Sequence, residues 1–137
     1  MVNAFGDVVS PENGRILAGV RSSAEGGHYE GTVNLMKKGV KRQPNQFHNT
    51  TIAVVATNAS FTKSELSRIA GIAQTGMSRV ISPVHTVVDG DMVIAVSAGD
   101  MEEEANLVGV AASELLTESV LRAVQISKSM GGIPSAS

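Results

Sequence analysis

Residues 49–58 read NTTIAVVATN, and they decide the fold because a polar Asn-Thr-Thr group stands directly before an apolar, β-branched run. Residues 51–58 lack polar alternation, which is typical of a strand buried on both faces. Breaking one peptide bond at the start of this strand would expose the hydroxyl of Thr50. A threonine freed in this way carries its own base, since the new α-amine titrates near neutral pH.

Helix and strand signals follow this strand along the chain. TKSE at 62–65 has the form of a capping box and precedes apolar residues at helical spacing, which predicts a helix over 63–79. Residues 92–98 predict another strand. A second helix is predicted over 105–128, because three Glu residues precede it and Gly131-Gly132 stops it. Together these elements predict a layered α+β domain.

The first third of the chain predicts a hairpin followed by a long loop. Residues 2–9 and 15–19 predict strands joined by SPENG at 10–14, where Pro and Asn-Gly suit a turn. Residues 20–48 lose periodicity and contain several Gly residues and a Pro, which predicts a loop or linker. At the other end, residues 130–137 are rich in Ser, Gly and Pro and predict a disordered tail.

Length and composition restrict the classes of function. A chain of 137 residues suits a single domain over 1–137. Its 11 basic and 13 acidic residues give a net charge of −2, so no nucleic-acid partner is predicted. The absence of Cys excludes disulfides and thiolate catalysis. Neither a signal peptide nor an uninterrupted membrane-spanning run is present, so we expect a cytoplasmic protein without a membrane partner.

Asp89 and Asp91 follow the Asn-Thr pair after about one strand-helix unit. In a compact fold, such carboxylates can orient a nucleophile or shift its pKa. Taken alone, however, an Asp-Gly-Asp sequence is more commonly a plain turn, and an Asn-Thr-Thr sequence is more commonly a polar turn before a strand. The residues by themselves leave both interpretations open.

Three histidines and a basic cluster are the other candidate binding features. His28, His48 and His85 have separations that match no metal-ligand or triad pattern, so no metal site is predicted. We expect His85 and Thr86 to form a structural hydrogen-bonding pair in a loop. The Lys and Arg residues within 37–42 indicate a solvated loop rather than a nucleic-acid surface.

Five motifs carry a resemblance to a known family. In chain order they are VNAFGDVV at 2–9, NTT at 49–51, VVATNA at 54–59, PVHT at 83–86 and DGD at 89–91. Each motif is short, but their order and separations together make the pattern specific. Over residues 3–124 the chain resembles the C-terminal part of the L-aminopeptidase/D-esterase family, which includes β-peptidyl aminopeptidases and nylon-oligomer hydrolases.

This resemblance implies a fold and a mechanism. The family fold is a four-layer αββα sandwich, and the precursor cuts its own backbone before a Ser or Thr. In this chain the cut would fall between Asn49 and Thr50, and Thr50 would become the nucleophile. Asn3 would stabilise the oxyanion, while Asp89 and Asp91 would assist processing and orient the nucleophile.

The resemblance also implies substrates and partners. We expect hydrolysis of small peptides, amides or esters through an acyl-enzyme on Thr50, without a cofactor. Family members are considerably longer, so residues 1–49 would end a large-subunit-like segment and residues 50–137 would form a small-subunit-like one. Either the chain is a fragment of a longer protein, which would leave it inactive alone, or a second polypeptide supplies the missing part. Processed protomers would form a homo-oligomer. His48 replaces the small residue that often precedes the Asn-Thr pair, which predicts less efficient processing.

Two other functions stay open. A non-catalytic split subunit or remnant would keep half of the sandwich, pair with itself or another chain, and retain the bond between Asn49 and Thr50. An ordinary ligand-binding α/β domain would have no relation to the family. A self-cleaved product beginning with Thr50 would favour the hydrolase over both.

Overall fold

The computed structural model describes residues 1–23, 28–40 and 49–136. This part of the chain contains six strands and three helices. In chain order they are β1 (Val2–Asn3), β2 (Asp7–Val9), β3 (Ile16–Ala18), α1 (Thr32–Lys37), β4 (Thr50–Ala59), α2 (Lys63–Val80), β5 (Ile81–Ser82), β6 (Met92–Met101) and α3 (Ala105–Gln125). The predicted α+β class is confirmed.

Strands β1, β4 and β6 form the sheet that begins with the decisive sequence. β4 and β6 run parallel, with Ile52 opposite Met92 and Thr57 opposite Ser97. Parallel neighbours require a crossover connection, and α2 provides it. β1 pairs antiparallel with the first residues of β4. A second sheet has the order β3-β2-β5.

Helices α2 and α3 pack against each other, and α2 packs against β6. Leu116 and Val120 of α3 belong to the core cluster against which Ala53 of β4 and Val93 of β6 pack. The buried residues of the shared core are Val8, Met77, Val80, Ile81, Leu116 and Val120. The two helices approach closely at Gly76, where an added Cβ would lie 2.2 Å from the backbone oxygen of Ser113. Glycine at this position therefore sets how near the helices can lie.

The described residues cover only one face of the β1-β4-β6 sheet. Along β4 and β6, alternate residues are half-buried beneath the helices, and the residues between them are exposed. The exposed set is largely apolar and includes Val54 and Ile94, which are 64% and 43% exposed. The prediction that residues 51–58 form a strand buried on both faces is therefore wrong, because one helical layer protects one side of a sheet.

The helix α2 begins with the capping box that the sequence predicts, and α3 begins after the Glu residues predicted at its positive end. At the start of α2, the Glu65 carboxylate accepts a hydrogen bond from the Thr62 backbone N–H at 2.8 Å, and the Thr62 hydroxyl accepts one from the Glu65 N–H at 3.4 Å. Hydrogen bonds from the Thr62 backbone and side chain lower the pKa of Glu65. At α3, the Glu104 carboxylate accepts from the N–H groups of Asn106 and Leu107. The helix α3 ends at Gln125, three residues before its predicted end at residue 128.

The first predicted strand is interrupted. Residues 2–9 form two short strands instead of one, although the predicted hairpin between β2 and β3 is confirmed. At Gly6 the backbone passes against Pro83, whose carbonyl oxygen would lie 2.0 Å from an added Cβ. This close passage separates β1, which pairs with β4, from β2, which pairs with β5 in the other sheet.

The segment 20–48 is predicted to be a loop, but it contains the helix α1, so the prediction is wrong for Thr32–Lys37. The start of α1 is held by the buried carboxylate of Asp7. That carboxylate accepts hydrogen bonds from the Thr32 backbone N–H at 2.5 Å and from the Thr32 hydroxyl at 2.9 Å. A long-range anchor therefore replaces the local cap that the sequence lacks.

The C-terminal residues, which the sequence predicts to be disordered, make hydrogen bonds up to Ser135. Met130 and Ile133 exchange backbone hydrogen bonds at 3.1 and 3.0 Å. Arg21 Nη2 donates to the Ser135 carbonyl oxygen at 2.8 Å. These contacts tie the end of the chain to the segment after β3.

Residues 24–27, 41–48 and 137 lie outside the described residues. The predictions for His48, for Lys41 and Arg42, and for part of the loop fall there. Among the helices that the structure does describe, none combines the length and the hydrophobicity needed to cross a bilayer.

We expect Gly76→Ala to lower the free energy of unfolding by about 1–3 kcal/mol, because the new methyl group must push α3 away. Gly71→Ala is the matched control in the same helix, since an added Cβ there would meet no atom of another element within 4 Å. This control should raise stability by up to about 1 kcal/mol through helix propensity. Urea unfolding measures both changes, and equal stabilisation by the two variants would contradict the close approach at Gly76.

Candidate active site

Three segments of the chain meet at the first residues of β4. Asn3 of β1 lies opposite Thr50 in the antiparallel ladder. Asn49 forms a parallel bridge with Asp89. The Asp91 carboxylate accepts a hydrogen bond from the backbone N–H of Thr51. The structure therefore brings together all five residues that were predicted as the site.

The peptide bond between Asn49 and Thr50 lies within this cluster. Thr50 Oγ1 donates a hydrogen bond to the Asn49 carbonyl oxygen at 2.6 Å, and the backbone N–H of Gly90 donates to the same oxygen at 3.0 Å. The Asn49 side chain is held by a hydrogen bond from its Nδ2 to the Ala4 carbonyl oxygen at 3.1 Å. A hydroxyl and a backbone donor thus converge on one carbonyl group, which is a geometry suited to acyl transfer.

Asp91 fixes the backbone beside Thr50. Its side chain is 1% exposed, and its Oδ1 accepts a hydrogen bond from the Thr51 N–H at 2.8 Å. Its Oδ2 accepts from the His85 N–H at 3.2 Å and lies 3.3 Å from His85 Nδ1. One buried carboxylate therefore ties the start of β4 to the loop before β6.

Asp89 and Asn3 flank the same peptide bond in different environments. The Asp89 N–H donates to the Thr86 carbonyl oxygen at 3.0 Å, and both Asp89 carboxylate oxygens are shielded from solvent. Asn3 is exposed, although its backbone lies opposite Thr50. The catalytic roles of both side chains stay predictions.

The sequence reading did not identify Gly90 or Gln74 as part of the site, and it predicted a different partner for His85. The His85 ring contacts the Asp91 carboxylate. Its Nδ1 also lies 3.4 Å from Nε2 of Gln74 on α2. His85 has a φ of 55°, in the left-handed region that non-glycine residues seldom adopt. No local motif marks the contacts of His85 with Gln74 and Asp91, because they depend on the path of the loop between α2 and β6.

The described residues of the cluster do not include a grouping of metal-ligating side chains. Within residues 1–23, 28–40 and 49–136, no three His, Asp or Glu side chains are grouped as metal ligands. His28 lies 3.7 Å from Glu30. A cleft of about 490 Å³ lies elsewhere, between the segment around Arg21 and Tyr29 and the C-terminal residues.

Comparison with known proteins gives the cluster a family context. The model of "Peptidase family S58" matches residues 12–136, a range that includes every predicted site residue except Asn3. An uncharacterized aminopeptidase of Mycobacterium leprae (strain TN) is 40% identical over 63% of this chain and 28% of its own length. A 6-aminohexanoate-oligomer endohydrolase of Kocuria sp. (strain KY2) is 33% identical over 58% of this chain and 26% of its own length.

A further uncharacterized aminopeptidase, from Mycobacterium tuberculosis (strain ATCC 25618 / H37Rv), is 36% identical over 63% of this chain and 29% of its own length. The chain therefore spans less than a third of the length of each of these three relatives.

We expect Asp91→Ala to lower the free energy of unfolding by about 2–4 kcal/mol, because it leaves the N–H groups of Thr51 and His85 without their acceptor. Asp100→Ala, at an exposed position of β6, is the matched control and should change stability by less than about 0.5 kcal/mol. Urea unfolding compares the two variants. Similar stabilities would show that Asp91 does not anchor the start of β4.

Proposed function

Because this chain belongs to peptidase family S58, as its resemblance to the L-aminopeptidase/D-esterase family predicts, we propose that it carries the nucleophile of a self-processing amide hydrolase. The observation that carries this proposal is the contact between Thr50 Oγ1 and the carbonyl oxygen of Asn49 at 2.6 Å. It holds the hydroxyl beside the carbonyl group that it must attack during self-cleavage.

Self-cleavage would proceed in two steps. Thr50 Oγ attacks the carbonyl carbon of Asn49, the bond from that carbon to the Thr50 nitrogen breaks, and the nitrogen takes up the hydroxyl proton. This step leaves an ester between the Asn49 carbonyl carbon and Thr50 Oγ. Water then hydrolyses the ester and yields a carboxylate on Asn49 and a free α-amine and hydroxyl on Thr50.

The freed Thr50 would then act on substrates. Its α-amine titrates near neutral pH and can accept the hydroxyl proton during attack on a substrate carbonyl. The amine or alcohol leaving group departs with that proton, and water hydrolyses the acyl group from Thr50. Asn3 would donate to the oxyanion from the neighbouring strand, and such a donor contributes about 3 kcal/mol to barrier lowering.

The two carboxylates would serve positioning in this scheme. Asp91 holds the backbone at Thr51, and its contact with His85 joins that backbone to the loop. Asp89 lies beside Asn49 with a shielded carboxylate and would assist processing. The relatives' names, aminopeptidase and 6-aminohexanoate-oligomer endohydrolase, both denote amide cleavage, which supports small peptides and amides as the substrate class.

A non-catalytic subunit is the second candidate function. The exposed apolar face of β4 and β6 supports it, because exposed apolar surface of this kind is commonly covered by a partner. In this case the chain would pair with itself or with another chain through the sheet face, and the bond between Asn49 and Thr50 would stay intact.

For the hydrolase, we expect purified protein to convert into two pieces, 1–49 and 50–137, detected by intact mass and N-terminal sequencing. Thr50→Ala should abolish the conversion, because loss of a nucleophile costs enzymes about 10⁶ in rate. Thr50→Ser should retain it. The processed protein should release product from aminoacyl amides.

Persistence of a single intact species on long incubation, with no amide turnover, would contradict the hydrolase. The subunit alternative would then be tested by Val54→Lys, with Ser64→Lys, at an exposed position of α2, as the control. If the sheet face is an interface, only the Val54 variant dissociates in size-exclusion chromatography.

A further inference from the structure

We propose that the backbone N–H of Gly90 is the oxyanion donor for cleavage between Asn49 and Thr50, and that its lack of a side chain makes room for the Thr50 hydroxyl. This inference rests on the proposed function and adds a residue to it. It is carried by two distances, 3.0 Å from Gly90 N to Asn49 O and 2.9 Å from an added Gly90 Cβ to Thr50 Oγ1.

The Asn49 carbonyl oxygen has two hydrogen-bond donors before reaction, and only one of them can serve in the transition state. Thr50 Oγ1 is the atom that forms the new bond to the carbonyl carbon, so it stops donating to the oxygen as it attacks. The Gly90 N–H takes no part in bond making or breaking. It therefore remains as the donor to the developing negative charge.

The Gly90 N–H is also held in position before reaction. Its two neighbours are both anchored, since the Asp89 N–H donates to Thr86 O and the buried Asp91 carboxylate accepts from Thr51 N and His85 N. A donor fixed in advance needs no reorganisation during reaction, which is the condition under which an oxyanion donor is most effective.

The missing side chain of Gly90 is a separate requirement. An added Cβ would lie 2.9 Å from Thr50 Oγ1 and 3.7 Å from Thr50 Cγ2, so alanine would force the hydroxyl away from the Asn49 carbonyl. The φ of Gly90 lies outside the left-handed region, in contrast to that of Gly131 or Gly132. Alanine is therefore compatible with the backbone at this position, and its effect should fall on the hydroxyl.

Two variants of the full 137-residue chain test the proposal. Gly90→Ala displaces the hydroxyl, and an amide-to-ester replacement of the peptide between Asp89 and Gly90 removes the N–H without adding atoms to the side chain. Intact-mass time courses measure the rate of cleavage before Thr50. We expect the ester to slow cleavage by about 100-fold or more, which is the usual effect of losing one oxyanion donor. Gly90→Ala should slow it by about 100-fold, because displacing a reacting group by about 1 Å has an effect of that size.

Controls separate these effects from misfolding. Gly71→Ala controls for the added methyl group, and an ester before Gly132, in the C-terminal segment, controls for backbone replacement. Circular dichroism and urea unfolding should show the Gly90 variants folded. Combining Gly90→Ala with Thr50→Ser should recover part of the rate, because serine lacks the Cγ2 methyl and its hydroxyl can reorient.

The outcomes distinguish this inference from the proposed function. Normal cleavage in both folded Gly90 variants would overturn the role of Gly90 and leave the hydrolase proposal standing. Absence of cleavage in the unsubstituted chain would overturn both. Slow cleavage in the Gly90 variants, together with no amide turnover by the processed wild-type chain, would support the role of Gly90 and overturn the hydrolase.

Discussion

The parallel pairing of β4 with β6 is the constraint on which the candidate site depends. It sets Ile52 opposite Met92, and the same register continues outward to place Asn49 beside Asp89. A one-residue shift of register would reverse which side chains face the helices, so the packing of α2 and α3 on one face protects this alignment. The loop before β6 is therefore brought to the peptide bond between Asn49 and Thr50 by the core of the domain.

At that peptide bond, the loop supplies backbone and side-chain groups with different tasks. The Asp91 carboxylate holds the start of β4 through the Thr51 N–H, and the Gly90 N–H points at the Asn49 carbonyl oxygen. The Thr50 hydroxyl meets the same oxygen from its own residue. In our proposal, this fixed arrangement around one carbonyl group accelerates cleavage. Electrostatic stabilisation of a transition state is most effective when its hydrogen-bond donors are already in position.

The sequence was sufficient to predict the elements that local signals define. The Thr62 and Glu65 capping box located the start of α2, the Glu residues before Ala105 located the start of α3, and apolar runs located β4 and β6. Motif order was sufficient to predict the family and to select the residues that the structure brings together.

The features that the sequence did not predict depend on tertiary contacts that no local motif specifies. α1 depends on the Asp7 carboxylate, the break between β1 and β2 depends on Pro83, and the pairing of His85 with Asp91 depends on the loop path. The open apolar face of the sheet was missed for a related reason. The residue pattern of β4 indicates hydrophobicity, but it does not reveal how many layers surround the strand.

The central claim is that Thr50 Oγ becomes bonded to the Asn49 carbonyl carbon, and trapping the ester with hydroxylamine tests it most directly. Hydroxylamine attacks esters in place of water, so our account predicts that fragment 1–49 will end in a hydroxamate, identified by mass, and that Thr50 will lead the second piece. A fragment that ends in a plain carboxylate despite the hydroxylamine, or a chain that stays whole, would contradict it.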